Sequence, residues 1–348
     1  GRTKVHRRTF THTLVAAALA TTLVAAAGCS DDKTGAATGG SGLEKITYLT
    51  SFGTFGRDAY AYVALEKGYF KDAGFNVDIK PGGGTLENLK AIVAGTAQFT
   101  PLDLTGLLLA AGAPTSPITG FSAVAGIQQR TMAAIITLDG NGIATPKDLE
   151  GKTLTDSPSS VVRNLFPTYA KAAKIDATKV KWQDGTPQTM MGVLASGQTA
   201  GIGQFVVGKP TVESIAKGKK AIVLPYSDYL QDLYGNVLCT SASYAKNSPD
   251  KTEKFTAALL KGLQDSITNP TEAGQILKKY IPTANPDAAA AELTLMGPFV
   301  RSAASGVPVG ALDAQRVARS IAILQGSGQI GAGLTPEQVI DFAVVPKA

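Results

Sequence analysis

The sequence predicts an α/β fold arranged as two lobes, and three observations carry that reading. Short β-prone runs alternate with helical stretches along most of the chain. One such α/β unit, in the middle, is entered and left by extended segments. Over 348 residues, 44% hydrophobic and 17% charged content describes a globular chain able to bury a core without disulfide staples. Two lobes joined by two crossovers put the default binding cleft between them, at the carboxyl ends of strands.

The elements follow in order. Ile46, Tyr48 and Leu49 are β-prone, and residues 59–67 form a helix that Gly68 stops. Residues 75–79 alternate as a strand, Pro81 to Gly84 break it, and helical spacing returns over 86–94. The sheet is expected to be largely parallel. A second unit starts near Met132 with an apolar strand over 132–138, a short helix opened by Pro146 and a strand at 153–155. Ser157 to Ser160 offer caps for a helix over 161–173. A strand at 179–182, a helix over 186–195 and apolar strands at 202–207 and 221–224 complete the unit, and 237–240 reads as one more strand. From Pro249 the chain is mostly helical, over 252–268, 271–280, 286–296, 313–325 and 336–342, and no solenoid repeat interrupts it. The expected division is residues 44–130 for the first part of one lobe, 131–225 for the other, and 226–348 for the return and C-terminal helices.

Ahead of this body, residues 1–28 read as a secretory leader. Arg7 and Arg8 precede the apolar run 14–27, which is short for a membrane span of about 20 residues. Arg2, Lys4, Arg7 and Arg8 stand in the leader without an acid, so the formal net charge of +6 leaves only +2 for the rest. That is a poor electrostatic footprint for nucleic acid. Both histidines, His6 and His12, also lie there. The body therefore has no imidazole for Ser-His or Cys-His chemistry or for metal ligation, and neither a metal nor a cofactor is expected. Ala26-Ala27-Gly28-Cys29 resembles a bacterial lipobox, which implies a diacylglycerol-modified Cys29. Residues 29–43, rich in Gly, Thr, Ser and Asp, then read as a flexible tether above a membrane. Cys239, the other cysteine, reads as a small buried residue.

Tyr62 to Phe70, followed by Lys71-Asp72-Ala73-Gly74-Phe75, resembles a segment of the NMT1/THI5-like solute-binding proteins of ABC importers. Further likenesses follow in order at Thr145 to Lys152, Leu194 to Gln198, Leu260 to Leu263 and Asn269 to Ala273, so the resemblance spans residues 44–348. It implies a type II periplasmic-binding-protein fold, two α/β lobes closing on a ligand about two hinge crossovers. It also implies binding rather than catalysis, with a permease and an ATPase as partners, and with the protein a monomer held at the extracytoplasmic face of a bacterial cell membrane. The family's carriers take thiamine pyrimidine precursors, and their relatives take sulfonates, taurine, nitrate and riboflavin. The fungal pyrimidine synthases of the same fold depend on a histidine, an iron site and a cysteine-rich motif that the body of this chain lacks.

The candidate ligand contacts lie in six places. The first βα turn offers Ser51, Phe52, Phe55, Arg57, Asp58 and Tyr60. Thiamine-precursor binders hold the pyrimidine with this loop; Phe52 falls on their tryptophan, Ser51 on their aspartate and Asp58 on their histidine, while their Pro-Asn pair is absent. Its aromatics suit a flat ring. Gly83, Gly84 and Thr85 form a turn whose N–H groups and following helix suit a polar or anionic group. Asp103 ends a strand, Gln128 lies at the first crossover, and Ser157, Ser159 and Ser160 open a second-lobe helix. Gln204, Phe205 and Tyr226 lie on the second lobe or the return crossover. The aromatic loop favours a flat heterocycle such as a thiamine pyrimidine precursor; the glycine turn and serines favour the alternative, a small anion such as alkyl sulfonate, taurine or nitrate.

Overall fold

A computed structural model describes residues 42–302 and 304–347. The leader, Cys29 and most of the tether lie outside these residues.

The first lobe begins with β1 (Glu44–Leu49), β2 (Phe52–Gly53), α1 (Ala59–Glu66), α2 (Tyr69–Asp72), β3 (Phe75–Lys80) and β4 (Gly82–Gly83). It continues through α3 (Thr85–Ala94), β5 (Thr100–Asp103), α4 (Leu104–Ala111) and β6 (Phe121–Gly126). β1 runs parallel to β3, and Tyr48 bridges in parallel to Phe99. The second lobe holds β7 (Ala133–Leu138), β8 (Thr153–Asp156), α5 (Val161–Ala172), β9 (Lys181–Asp184), α6 (Met190–Ala195), β10 (Gly201–Phe205), α7 (Lys209–Ile215) and β11 (Ala221–Pro225). Its five strands are ordered β11-β7-β10-β8-β9. The chain then returns through β12 (Asn236–Ser241), which pairs antiparallel with both β5 and β6, and adds α8 (Ala242–Asn247), α9 (Pro249–Thr268), α10 (Pro270–Tyr280), α11 (Pro286–Val300) and α12 (Ala314–Gly326).

The expected largely parallel sheet is therefore a mixed one. β8 is parallel to β9 and β10, but β7 is antiparallel to β10 and β11. The strand that breaks the rule is β7, entered from the first crossover; β11, antiparallel to β7, runs the same way as β8, β9 and β10. The helix expected over 336–342 is only a single 3₁₀ turn at Pro336–Gln338, and the one expected over 186–195 starts at Met190.

Two aromatic clusters anchor the lobes. Phe255 of α9 stacks on Phe99 with ring centroids 3.9 Å apart and on Phe70 at 5.0 Å, and Phe75 meets it edge-on. Tyr226 stacks on Tyr169 at 4.1 Å in the second lobe. Trp182 meets Phe166 edge-on and belongs to this second core. Cys239 is fully buried, and burial pushes its thiol well above the ordinary range. α1 is apolar around its whole circumference and is buried from Ala59 to Ala64, because α9 covers its outer side and Gly262 lets the two helices approach closely.

Candidate functional site

The first-lobe side of the cleft is assembled from the loop after β1 and the glycine turn. Asn88 donates from Nδ2 to the carbonyls of Thr50 (3.0 Å) and Ser51 (3.2 Å) and to Thr100 Oγ1 (3.0 Å), and its Oδ1 accepts from the Gly83 N–H (3.0 Å). Gly82 N–H donates to Thr50 Oγ1 and Gly84 N–H to the Ser51 carbonyl. Two of the N–H groups expected to grip a ligand, those of Gly83 and Gly84, are thus engaged inside the lobe. Glycine is required here for another reason: Gly84 has φ +105°, and a Cβ there would lie 2.9 Å from the Ser159 carbonyl of the facing lobe.

Beside this turn stands Arg57, only 3% exposed. Glu292 of α11 accepts from the Arg57 N–H at 2.8 Å and lies 3.9 Å from Nη1. Nη2 donates across the seam to Gln204 Oε1 of β10 at 2.6 Å. The guanidinium also faces two rings, Phe55 of its own lobe at 4.6 Å and Phe205 of the other at 4.9 Å. Burial pushes Glu292 up to about 7 and Asp58 up to about 6, in both cases against the pull of Arg57.

On the second-lobe side, β8 and β10 end at the seam with Thr155, Gln204 and Phe205, and the loop after β9 brings Pro187 against Gly53 of the first lobe. Ser159 Oγ accepts from the Glu87 N–H at 2.9 Å, a second bond across the seam. Buried polar atoms without a hydrogen-bond partner gather here, namely Arg57 Nε and Nη1, Gln204 Nε2 and Glu292 Oε1, and two more, Thr155 Oγ1 and Asp156 Oδ2, lie at the end of β8. Asp156 lies at the start of α5, where its Oδ1 accepts from the Ser157 N–H, and burial raises its pKa to about 8. Unsatisfied groups of this kind carry a desolvation cost of about 1–3 kcal/mol each, which a ligand offering complementary atoms removes. Among the described residues every ion pair stays within one lobe, and the direct bonds across the seam are hydrogen bonds.

Several of the residues expected at the ligand do other work. Tyr60 is 2% exposed and accepts from the Tyr48 hydroxyl inside the core. Tyr226 donates to the Val162 carbonyl beneath Tyr169. Asp103 caps α4 through the Thr105 N–H and accepts from Thr131 Oγ1, which ties it to the first crossover; burial holds it at about 6. Gln128 accepts from the Asn236 N–H and so joins the two crossovers. Asp58 accepts from the Phe55 N–H and closes its own turn, while Phe52 is packed in the core at 3% exposure. Ser160 caps α5, and Ser157 Oγ accepts from the Ser159 N–H. Ser51 contributes its carbonyl to the glycine turn, and Thr85 packs under Gly106 at the edge of the seam. Phe55, Arg57, Gly84, Ser159, Gln204 and Phe205 do meet where the lobes touch. Glu292, Thr155, Asp156 and Asn88 were not singled out. Glu292 carries a readable signal, because it falls on the same face of α11 as buried Ala288, Ala289 and Met296.

A family model described as NMT1/THI5 like matches residues 58–273. The chain is 26% identical over 249 residues to the riboflavin-binding protein RibY of Chloroflexus aurantiacus, covering 70% of this chain and 68% of that one. It is 22% identical over 247 residues to a formylaminopyrimidine-binding protein of Halalkalibacterium halodurans, covering 70% and 73%. Among solved structures, the alkanesulfonate-binding protein SsuA from Xanthomonas axonopodis pv. citri, bound to MOPS, superposes with a TM-score of 0.67 at 13% identity, over 85% of this chain and 97% of that chain. That likeness establishes the periplasmic-binding-protein fold.

Proposed function

The chain belongs to the NMT1/THI5-like family, and from that premise we propose that it is the solute-binding component of an ABC importer, capturing a flat nitrogen heterocycle between its lobes. The ligand class is that of a thiamine pyrimidine precursor or a flavin, and a permease with its ATPase receives it. Cys29 carries the lipid anchor at the extracytoplasmic face, and the tether lets the monomeric body pivot above the membrane. Binding rather than catalysis accords with relatives that are named as binding proteins.

One observation carries the choice of ligand. Rings from both lobes, Phe55 and Phe205, converge on the Arg57 guanidinium, beside unpartnered hydrogen-bonding atoms on Gln204 and on Arg57 itself. Ring faces with a few directional polar groups suit a planar heterocycle with donor and acceptor edges. The unpaired Nε and Nη1 of Arg57 favour the second reading, a small oxyanion. Against it, Asp58 and Glu292 are buried beside this arginine, and an anion brought among them meets further negative charge as they ionise.

Thermal shift of the full chain against aminopyrimidines, riboflavin, alkyl sulfonates, taurine and nitrate tests this. A ligand specific for the native state adds about 2.7 kcal/mol at a hundredfold excess over its Kd. The heterocycles are expected to give the shift, and Gln204→Ala and Phe55→Ala to weaken binding about tenfold each. A shift with the small anions alone would replace this reading by the second one.

A further inference from the structure

Away from the seam, unmatched positive charge collects at the hinge. Arg130 lies in the first crossover, Arg301 directly follows α11, and Arg316 is in the first turn of α12. With Gln129, Gln231 and Ser302 they line a concavity of about 610 Å³. Among the described residues none of the three arginines makes an ion pair. The acids nearest in the chain are already occupied: Asp232 pairs with Arg319 at 3.6 Å, and Asp313 Oδ1 caps α12 by accepting from the Gln315 and Arg316 N–H groups.

Two of the three guanidiniums are nonetheless held in place. Arg130 lies over the Phe299 ring at 4.5 Å and Arg316 over Tyr234 at 3.9 Å. Arg316 also donates from Nε to the Asp232 carbonyl at 3.0 Å and from Nη2 to the Gln129 carbonyl. Ring faces and carbonyls orient these groups without cancelling their formal charge, so three like charges face one hollow. Planar forks of N–H donors fixed in this way match the oxygens of a phosphoryl group, often in pairs.

We propose that this hollow is a binding site for a phosphate-type oxyanion, separate from the solute cleft. It touches both crossovers and the ends of α11 and α12, so a bound oxyanion links segments that the lobes must move against one another.

The test is calorimetric titration of the full chain with pyrophosphate at fixed ionic strength, with chloride as the control. Saturable binding is expected that R130Q and R301Q weaken by at least about tenfold each. Both side chains are exposed and neither donates a hydrogen bond among the described residues, so the variants are expected to keep the parent's melting temperature. The double variant R130K/R301K, which keeps charge but loses the fork, should bind with intermediate strength. Sedimentation with phosphatidylglycerol vesicles separates two sources of the same chemistry. Vesicle capture that pyrophosphate competes away assigns a lipid headgroup, and pyrophosphate binding without capture assigns a free phosphate. Equal affinity in parent and R130Q/R301Q, or heats that chloride reproduces, would overturn the proposal.

Discussion

The two walls of the cleft are built on opposite principles. On the first-lobe wall nearly every polar group is answered from within: Asn88 alone ties Thr50, Ser51, Gly83 and Thr100 together, and Asp103 is spent on α4 and Thr131. On the second-lobe wall Thr155 Oγ1, Asp156 Oδ2 and Gln204 Nε2 are buried without partners. A wall that satisfies itself is a rigid template offering shape and ring faces. The other wall keeps hydrogen-bonding capacity in reserve, and under the proposed function that is where ligand discrimination is expected. The Arg57–Glu292 pair is the exception, first-lobe groups with two unpartnered nitrogens and one unpartnered carboxylate oxygen at the junction of the walls.

That exception supplies the largest expected effect. Glu292→Ala removes the ion-pair partner of buried Arg57 and the acceptor of its backbone N–H, leaving Asp58 as the remaining acid beside it, and should cost about 3 kcal/mol in chemical denaturation. A loss below about 1 kcal/mol would mean that Arg57 is held by the seam rather than by its own lobe, and the contrast between the walls would fail.

The pH profile sharpens the contrast next. Burial raises Asp58 and Asp103 on the first wall to about 6, Glu292 to about 7 and Asp156 on the second wall to about 8. Each acid holds its proton more tightly folded than unfolded. Stability from these groups is therefore complete below the ordinary carboxyl range near pH 4, falls as pH rises through each folded pKa, and levels off above it. The melting temperature should decline from about pH 4 to about pH 8, with the last part of the slope belonging to Asp156. Melting curves of Asp156→Asn should decline less steeply from about pH 4 upward and lose the decline above about pH 7. An unchanged upper slope would remove Asp156 from the second wall's account.

The smallest effect is expected at the edge of the seam. Ser159→Ala deletes the bond from the Glu87 N–H and should change global stability by no more than about 1 kcal/mol. Amide exchange at Glu87 should nevertheless speed up. Exchange as slow as in the parent would show that another group protects this part of the seam.

Much of the fold was legible because alternation of β-prone and helical runs survives in the chain, and glycines such as Gly68 and Gly84 stand where the backbone turns. Strand direction was not legible: β7 and β12 look like any apolar run, and only the crossovers they follow decide which way they enter a sheet. At the site, the loop around Arg57 and the strand end at Gln204 could be placed, since both follow strands. Their roles could not. Tyr60 and Tyr226 look like ring platforms in the sequence, but the helices and sheets on which they sit turn them into the cores. Glu292 stands 235 residues from the arginine it serves, a pairing that no local pattern encodes.

The confinement of ion pairs to single lobes has a kinetic meaning. Separating the lobes breaks neutral and charge-assisted hydrogen bonds and slides rings apart, while Arg57 keeps its carboxylate on the near side. Screening by dissolved salt weakens attraction between opposite charges, and no opposite charges are pulled apart here. Separation of the lobes is thus governed by short-range contacts, and its rate is expected to be nearly the same in dilute and in saline surroundings.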